Sequence, residues 1–319
     1  MKRRILSFGL ALTLLLSGCA AGPGGQEEAD LTIVATTYPV YLFASSVTKD
    51  VEGVQVERLN TGETSCLHDY TLSVNDMKLL ERADVIAMNG AGLEEFLEDA
   101  LASSDAVVID CSEGVELLEN LSHHHDEHDH SHDGHDHGHW DPHYWMDPRN
   151  ASVMVQNLTN GIVALDPEHE AQYRERASME RYICAELDTI LREELLQPSL
   201  DAGMETPKLI TFHDGFQYFA HAYGMELLEA IEEEAGSEAS AKEIVEITKL
   251  VKEHDIPVIF TEVNGSDATA KAISRETGCQ VAQLTMIMDE DEGFSDYALG
   301  MMKNMRAVIN AFSGEENAQ

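Results

Sequence analysis

The chain predicts an α/β protein of two lobes, each with a mostly parallel sheet flanked by helices, joined by one long, stiff connector helix. Three observations carry that expectation. Short β-branched runs alternate with helical stretches in the first and last parts of the chain, the pattern of parallel strands with crossover helices. Between them, residues 150–197 hold good helix formers and almost no strand signal. Roughly 300 residues follow an N-terminal export segment, too many for one small core, so two lobes of about 120–150 residues are the default.

The export segment comes first. Lys2, Arg3 and Arg4 make a positive n-region, and residues 5–16 an apolar stretch too short to span a bilayer. It ends in Leu16-Ser17-Gly18-Cys19, which resembles the lipobox of bacterial lipoproteins; the plain alternative is a chance cysteine at an ordinary cleavage site. The expected division is a signal peptide over 1–18 and a flexible tether over 19–30, lipidated at Cys19. The mature protein is then exported and lipid-anchored on the outer face of a bacterial cytoplasmic membrane, at the cell surface or in a periplasm.

The first lobe, 31–149, has strands expected at 31–37, 54–60, 84–90 and 106–110, with helices near 39–48, 73–82 and 92–101. Ser73 followed by Asp76 reads as a capping box, which places His68 on the loop between a strand and a helix start. The connector, 150–200, is broken at Asp166-Pro167 into two helices. The second is about thirty residues long and spans roughly 45 Å at 1.5 Å per residue, enough to run along both lobes as a stiff connector, in preference to the plainer reading of a surface helix of one lobe. The second lobe, 201–319, repeats the alternation, with strands at 208–212, 225–231, 257–261 and 280–284 and helices near 214–223, 240–254, 265–277 and 295–312. Asp214 with Gln217 suggests a cap, so His213 sits where a strand hands over to a helix. Ligands of open α/β sheets bind at the carboxyl ends of strands.

Composition narrows the function. A formal net charge of −39 rules against nucleic acid, which needs a cationic surface. It favours cations nearby, although most such acids are solvated helix faces. Besides Cys19 there are Cys66, Cys111, Cys184 and Cys279, with no CxxC pair, so zinc-ribbon and thioredoxin readings fail. One or two disulfides remain open in an exported protein.

Residues 123–139 read HHHDEHDHSHDGHDHGH, in which His123, His124, His125, His128, His130, His132, His135, His137 and His139 are interleaved with carboxylates. Neutral imidazole ligates zinc, copper and nickel, and a run without apolar side chains cannot pack into a core. The loop at 122–140 therefore offers several weak, exchangeable metal sites. Three histidines stand apart from it: His68 in SCLHDYTLS, His143 in DPHYWMDP and His213 in TFHDGFQYF. All fall on loops after strands or at strand ends, two in the first lobe and one in the second. An ion held in a cleft from both lobes fits them, while spacing alone leaves solvated loop histidines as the ordinary reading.

Segments 36–44 (TTYPVYLFA), 68–97 (HDYTLSVNDMKLLERADVIAMNGAGLEEFL), 141–151 (DPHYWMDPRNA), 211–225 (TFHDGFQYFAHAYGM) and 238–262 (EASAKEIVEITKLVKEHDIPVIFTE) resemble, in the right order, the zinc- and manganese-binding solute-binding lipoproteins of bacterial ABC importers. The likeness covers essentially everything after the signal. It implies two α/β lobes joined by one long helix with metal in the cleft, and a monomer that docks on an importer permease. His68 and His143 match the family's first-lobe ligands, and His213 the position that is His in zinc importers' proteins and Glu in manganese ones. Imidazole at that third position favours Zn2+, with Mn2+ or another divalent transition metal as the alternative. Where many members have a carboxylate, a rough alignment places Met286, a poor zinc ligand. Water, Asp289 or a nearby Glu is left to complete a tetrahedron, or the fourth position stays open. Cys66 offers a thiolate, against the plainer reading of a packed or oxidised cysteine. Glu262 matches a family acid expected to orient or neutralise the site from behind its ligands.

The function expected is capture of zinc by His68, His143 and His213 for delivery to a permease, without catalysis. Occupancy should fall as pH drops through the imidazole range near ~6. The histidine tract is either a collector that raises local metal supply or a dispensable buffer. Two alternatives come from other classes. A zinc-dependent hydrolase is opposed by the absence of HExxH, GxSxG and a Gly-rich phosphate loop. A metal-buffering surface adhesin without a transport role would also suit an acidic, lipid-anchored protein.

Overall fold

A computed structural model describes residues 29–59, 70–120, 139–196, 207–232, 241–263, 267–288 and 297–313. Each lobe is built on a four-stranded, wholly parallel sheet, and the two sheets share one strand order. In the first, β1 (Leu31–Ala35), β2 (Val54–Arg58), β3 (Val85–Met88) and β4 (Val107–Asp110) lie in the order β2-β1-β3-β4. In the second, β5 (Lys208–His213), β6 (Glu226–Glu232), β7 (Val258–Glu262) and β8 (Gln280–Leu284) lie in the order β6-β5-β7-β8. Helices cover both faces of such sheets, so central strands are apolar throughout rather than alternating. Val85, Ile86 and Ala87 of β3 and every residue of β7 are accordingly buried.

Local chemistry sets the helix ends. α1 (Tyr38–Val47) starts at Thr37, whose hydroxyl accepts the Val40 N–H at 3.4 Å, with Pro39 in the first turn. α2 (Val74–Glu81) has both bonds of the expected capping box: Asp76 N–H to Ser73 Oγ at 3.2 Å and Ser73 N–H to Asp76 Oδ2 at 2.8 Å. The helix expected over 92–101 is shorter, a 3₁₀ turn at Glu95–Leu97 running into one α turn, α3 (Glu98–Leu101). Gly90, Ala91 and Gly92 all have positive φ, and this left-handed stretch delays helix formation.

α4 (Pro148–Leu165) is capped by Asp147, which accepts the Arg149 N–H at 2.8 Å. The long second helix is a 3₁₀ turn (Pro167–His169), α5 (Glu170–Leu191) and a π turn (Arg192–Leu196) in unbroken succession. It packs on α1 of the first lobe and on α9 (Tyr297–Ser313) after the second sheet. The connector reading holds: Tyr173, Cys184, Leu187 and Leu191 bury one face of α5 in a continuous core shared by both lobes. A fully buried Leu contributes about 1.5–3 kcal/mol.

The second lobe corrects one expectation. α6 (Gln217–Ala222) begins after Phe216 with no side-chain cap, so Asp214 does not cap it. His213 is instead the last residue of β5. α7 (Ala241–Glu253) and α8 (Ala268–Thr277) complete the layer, α8 ending on Gly278 at φ +82°. Cys111, Cys184 and Cys279 are free, buried thiols, so none takes part in a disulfide. Among the described residues no helix is long and apolar enough to cross a membrane.

Candidate metal centre

A parallel sheet opens a crevice at its carboxyl edge where neighbouring strands send their crossovers in opposite directions. The shared strand order puts that point between β1 and β3 in the first lobe and between β5 and β7 in the second. His213 and Glu262 are the terminal residues of β5 and β7, so the second crevice brings them side by side, both buried. Glu262 Oε1 lies 3.7 Å from His213 Nδ1, close enough for charge to act but beyond direct hydrogen bonding.

The first crevice is filled by Thr36, Asn89 and Glu94, all buried. The Glu94 carboxylate accepts the Thr36 hydroxyl at 2.6 Å and the Asn89 and Gly90 amides at 2.6 and 3.0 Å. Burial pushes its carboxyl up to about 7 against those bonds. Asn89 reaches the segment that carries His143: its Nδ2–H donates to Pro142 O at 3.0 Å, and its own carbonyl accepts the Tyr144 hydroxyl at 2.6 Å.

His143 is held from behind by Asp141, whose Oδ1 lies 2.8 Å from both the backbone N–H and Nδ1 of His143. A carboxylate only accepts, so the bond assigns the ring proton to Nδ1 and leaves Nε2 a lone pair. That Nε2 faces the other lobe. It stands 3.4 Å from His213 Nε2, with ring centroids 5.2 Å apart and planes at 84°. The Trp145 ring packs edge-on to His143 at 5.3 Å, and its indole N–H crosses to Met286 O at 2.9 Å.

Met286 enters on the second-lobe side. A methyl on Gly215 would strike Met286 Cε at 2.3 Å and the His213 ring at 2.8 Å, so thioether and imidazole lie together over that glycine. His68, Cys66, Asp289, Cys19 and the tract histidines up to His137 lie outside the described residues. Of the trio, His143 and His213 are brought together; among the described residues no three His, Cys, Asp or Glu side chains converge.

The ends of the tract are placed. Glu119 and Trp140 form an antiparallel bridge, flanked by bonds from Asn120 N to His139 O (3.1 Å) and Asp141 N to Leu118 O (2.9 Å). Tyr218 of α6 accepts the Leu118 N–H and donates to Asp141 O, both at 2.9 Å. The inserted loop therefore leaves and rejoins at the rim of the cleft, a few residues before His143. His139 is exposed there, its ring 4.4 Å from Trp140 and its Nε2 3.7 Å from Glu119 Oε1.

Sequence reasoning missed Asp141, Asn89 and Glu94. Asp141 had a visible signal, a carboxylate two residues before His143 in DPHYW. Asn89 and Glu94 had none, since nothing local links them to residue 143.

Two parallel-sheet lobes spanned by one helix, with imidazoles from each lobe converging between them, define a cleft-binding solute carrier. The family model for the zinc-uptake complex component A, periplasmic, matches residues 33–311, and the chain belongs to that family. Membership makes it an extracytoplasmic solute-binding protein rather than an enzyme, which removes the hydrolase alternative. The high-affinity zinc uptake system protein ZnuA of Bacillus subtilis (strain 168) is 29% identical over 310 residues, covering 94% of this chain and 93% of that protein. The zinc-binding lipoprotein AdcA of Streptococcus pneumoniae (strain ATCC BAA-255 / R6) is 28% identical over 317 residues, covering 97% of this chain but 60% of the longer relative. The crystal structure of Zn(II)-bound AdcA from Streptococcus pneumoniae superposes with a TM-score of 0.72 at 25% identity, covering 90% of this chain and 58% of that one.

Proposed function

We propose that this protein captures zinc between its lobes through His143, His213 and His68 and delivers it to the permease of an ABC importer, held at the membrane by lipid on Cys19. One observation carries the reading: the 3.4 Å between His143 Nε2 and His213 Nε2. Two nitrogens about 2.05 Å from one tetrahedral zinc stand roughly 3.3 Å apart. With its proton on Nε2, His213 donates to His143 Nε2; as the other tautomer it turns a second lone pair to the same point, where a cation would take the place of that proton. Asp141, hydrogen-bonded behind His143, supplies the outer carboxylate that orients a ligating imidazole and raises its basicity, while Glu262 acts on His213 through its charge at 3.7 Å. His68 joins the set on the family resemblance alone.

The histidine tract acts as a collector. The residues that bracket it meet beside Asp141, so the tract is tethered to the rim of the cleft, and linkage of weak sites to a tight one raises the effective metal concentration there. Release comes from rearrangement of cleft segments. The lobes are tied directly by Trp145 to Met286 and by the Tyr297 hydroxyl to Trp145 O at 2.6 Å, bonds that wide opening would break.

The test replaces His68, His143 and His213 by alanine, singly and together, with the tract intact. Chelator competition should show loss of the tight site while weak tract binding persists, and a strain carrying the triple variant should starve under zinc limitation. Tight zinc binding by the triple variant would overturn the assignment.

A further inference from the structure

Glu94 touches neither imidazole, yet its carboxylate builds the turn to which His143 is fastened. With 4% of its surface exposed, it takes three donors: the Thr36 hydroxyl and Asn89 N–H on Oε1, and Gly90 N–H on Oε2. Charge-assisted bonds of this kind are about twice as strong as neutral ones. They pin residues 89 and 90 to the end of β1. The turn has little freedom to take another shape, because Gly90 has φ +81° and a Cβ there would run into the Asp110 carboxylate and Ser112 hydroxyl.

From this turn two bonds leave for the His143 segment. Asn89 Nδ2 holds Pro142 O at 3.0 Å and Asn89 O holds the Tyr144 hydroxyl at 2.6 Å, so the residues on either side of His143 are both fastened to one asparagine. Asp141 sets the rotation of the ring; Asn89 sets where its backbone sits. We infer that Glu94 is a positioning residue for metal capture, aiming His143 at the ion through Asn89 and Tyr144. The inference rests on the proposed role of His143 as a ligand.

Glu94 also has a proton to exchange. The titratable groups facing it are Asp110 at the end of β4, Cys111 beside it and Tyr144 of the 3₁₀ turn at Tyr144–Met146, and burial with the Asp110 charge sets its carboxyl at about 7. A protonated carboxyl turns one of its oxygens into a donor and loses part of its hold on the two amides. Zinc affinity then carries a pH dependence from Glu94 near neutrality, separate from that of the imidazoles.

The test measures zinc affinity by chelator competition between pH 6 and 8, with thermal stability alongside, for the mature protein and for His143→Ala, Glu94→Gln, Tyr144→Phe and the double variant Glu94→Gln/Tyr144→Phe. Glu94→Gln should weaken zinc about 10-fold at pH 7.5, in the range of outer-shell partners, and flatten the pH profile around 7. Tyr144→Phe should cost about 3-fold, and the double variant should be little worse than Glu94→Gln, because both act through Asn89. A purely structural role would lower stability and leave affinity and profile unmoved. Folded Glu94→Gln that binds zinc within two-fold of the parent with the same profile, or penalties that simply add, would overturn the inference. If Glu94→Gln does not fold, unchanged affinity of Tyr144→Phe does so instead. Loss of tight binding in His143→Ala with none in Glu94→Gln refutes this inference alone; unaffected binding in His143→Ala refutes the cleft assignment beneath it.

Discussion

Replacing Asp141 by asparagine isolates what a buried carboxylate does for the imidazole in front of it, the ligand proposed above. Asp141 is 2% exposed, and its Oδ1 receives both the His143 backbone N–H and the ring at 2.8 Å. Its Oδ2 is buried with no hydrogen-bond partner among the described residues. Asparagine fits the same space but loses the charge, and its amide must face either the two His143 donors or that unpartnered pocket. The imidazole keeps its place only loosely and becomes a weaker base toward zinc. Outer-shell carboxylates of this kind are worth 10–100-fold in metal affinity, about 1.4–2.8 kcal/mol. Chelator competition at fixed pH reads that loss directly, and circular dichroism checks that the variant is folded. A folded Asp141→Asn protein that binds zinc within three-fold of the parent would refute the idea that His143 ligates through Nε2 with Asp141 behind it.

Deleting residues 123–138 should leave one tight zinc site per chain in a calorimetric titration and remove the weak ones; disappearance of the tight site would show that the tract itself supplies it. Trp145→Phe strands the Met286 carbonyl across the lobe boundary and leaves a gap in the core, so urea unfolding of the zinc-free protein should show a loss of about 2 kcal/mol or more; an unchanged midpoint would mean that this link carries no load. Glu94 predicts an acid-side advantage for the zinc-free protein. Its carboxyl sits at about 7 when folded against an ordinary value of 4.5, so the folded state keeps a proton that the unfolded chain has released. Stability from this group is complete below the ordinary carboxylate range and lost as pH rises toward 7, by about 3 kcal/mol. The difference between parent and Glu94→Gln unfolding free energies across pH 4–8 should trace that loss, and parallel curves would contradict it.

Sequence was enough for whatever depends on neighbours along the chain. Central strands such as β7 (VIFTE) are buried along their whole length and edge strands such as β2 (VQVER) alternate with polar residues; both patterns are local, so all eight could be read with ends within a residue or two. The Ser73 cap is a bond between residues three apart, and it appeared where its residues stand. The Asp214 cap failed although its residue pair looked similar. A short loop after β5 delays the helix to Gln217, and no local rule foretells that delay.

Tertiary structure alone decided the geometry of the candidate site, whose histidines the motifs had already singled out. Residues 141 and 143 are close in sequence, yet 70 residues separate His143 from His213, and only two sheets with the same strand order, locked to one helix, bring their Nε2 atoms within 3.4 Å. The role of Glu94 is less legible still, because every bond on its route to the His143 segment has a backbone group at one end: Asn89 N–H on the Glu94 carboxylate, Pro142 O under Asn89 Nδ2, and Asn89 O under the Tyr144 hydroxyl. Every residue has such groups, so they leave no mark in the amino-acid sequence. Side-chain periodicity writes the core into the chain; contacts made through backbone across a fold exist only once the fold has formed.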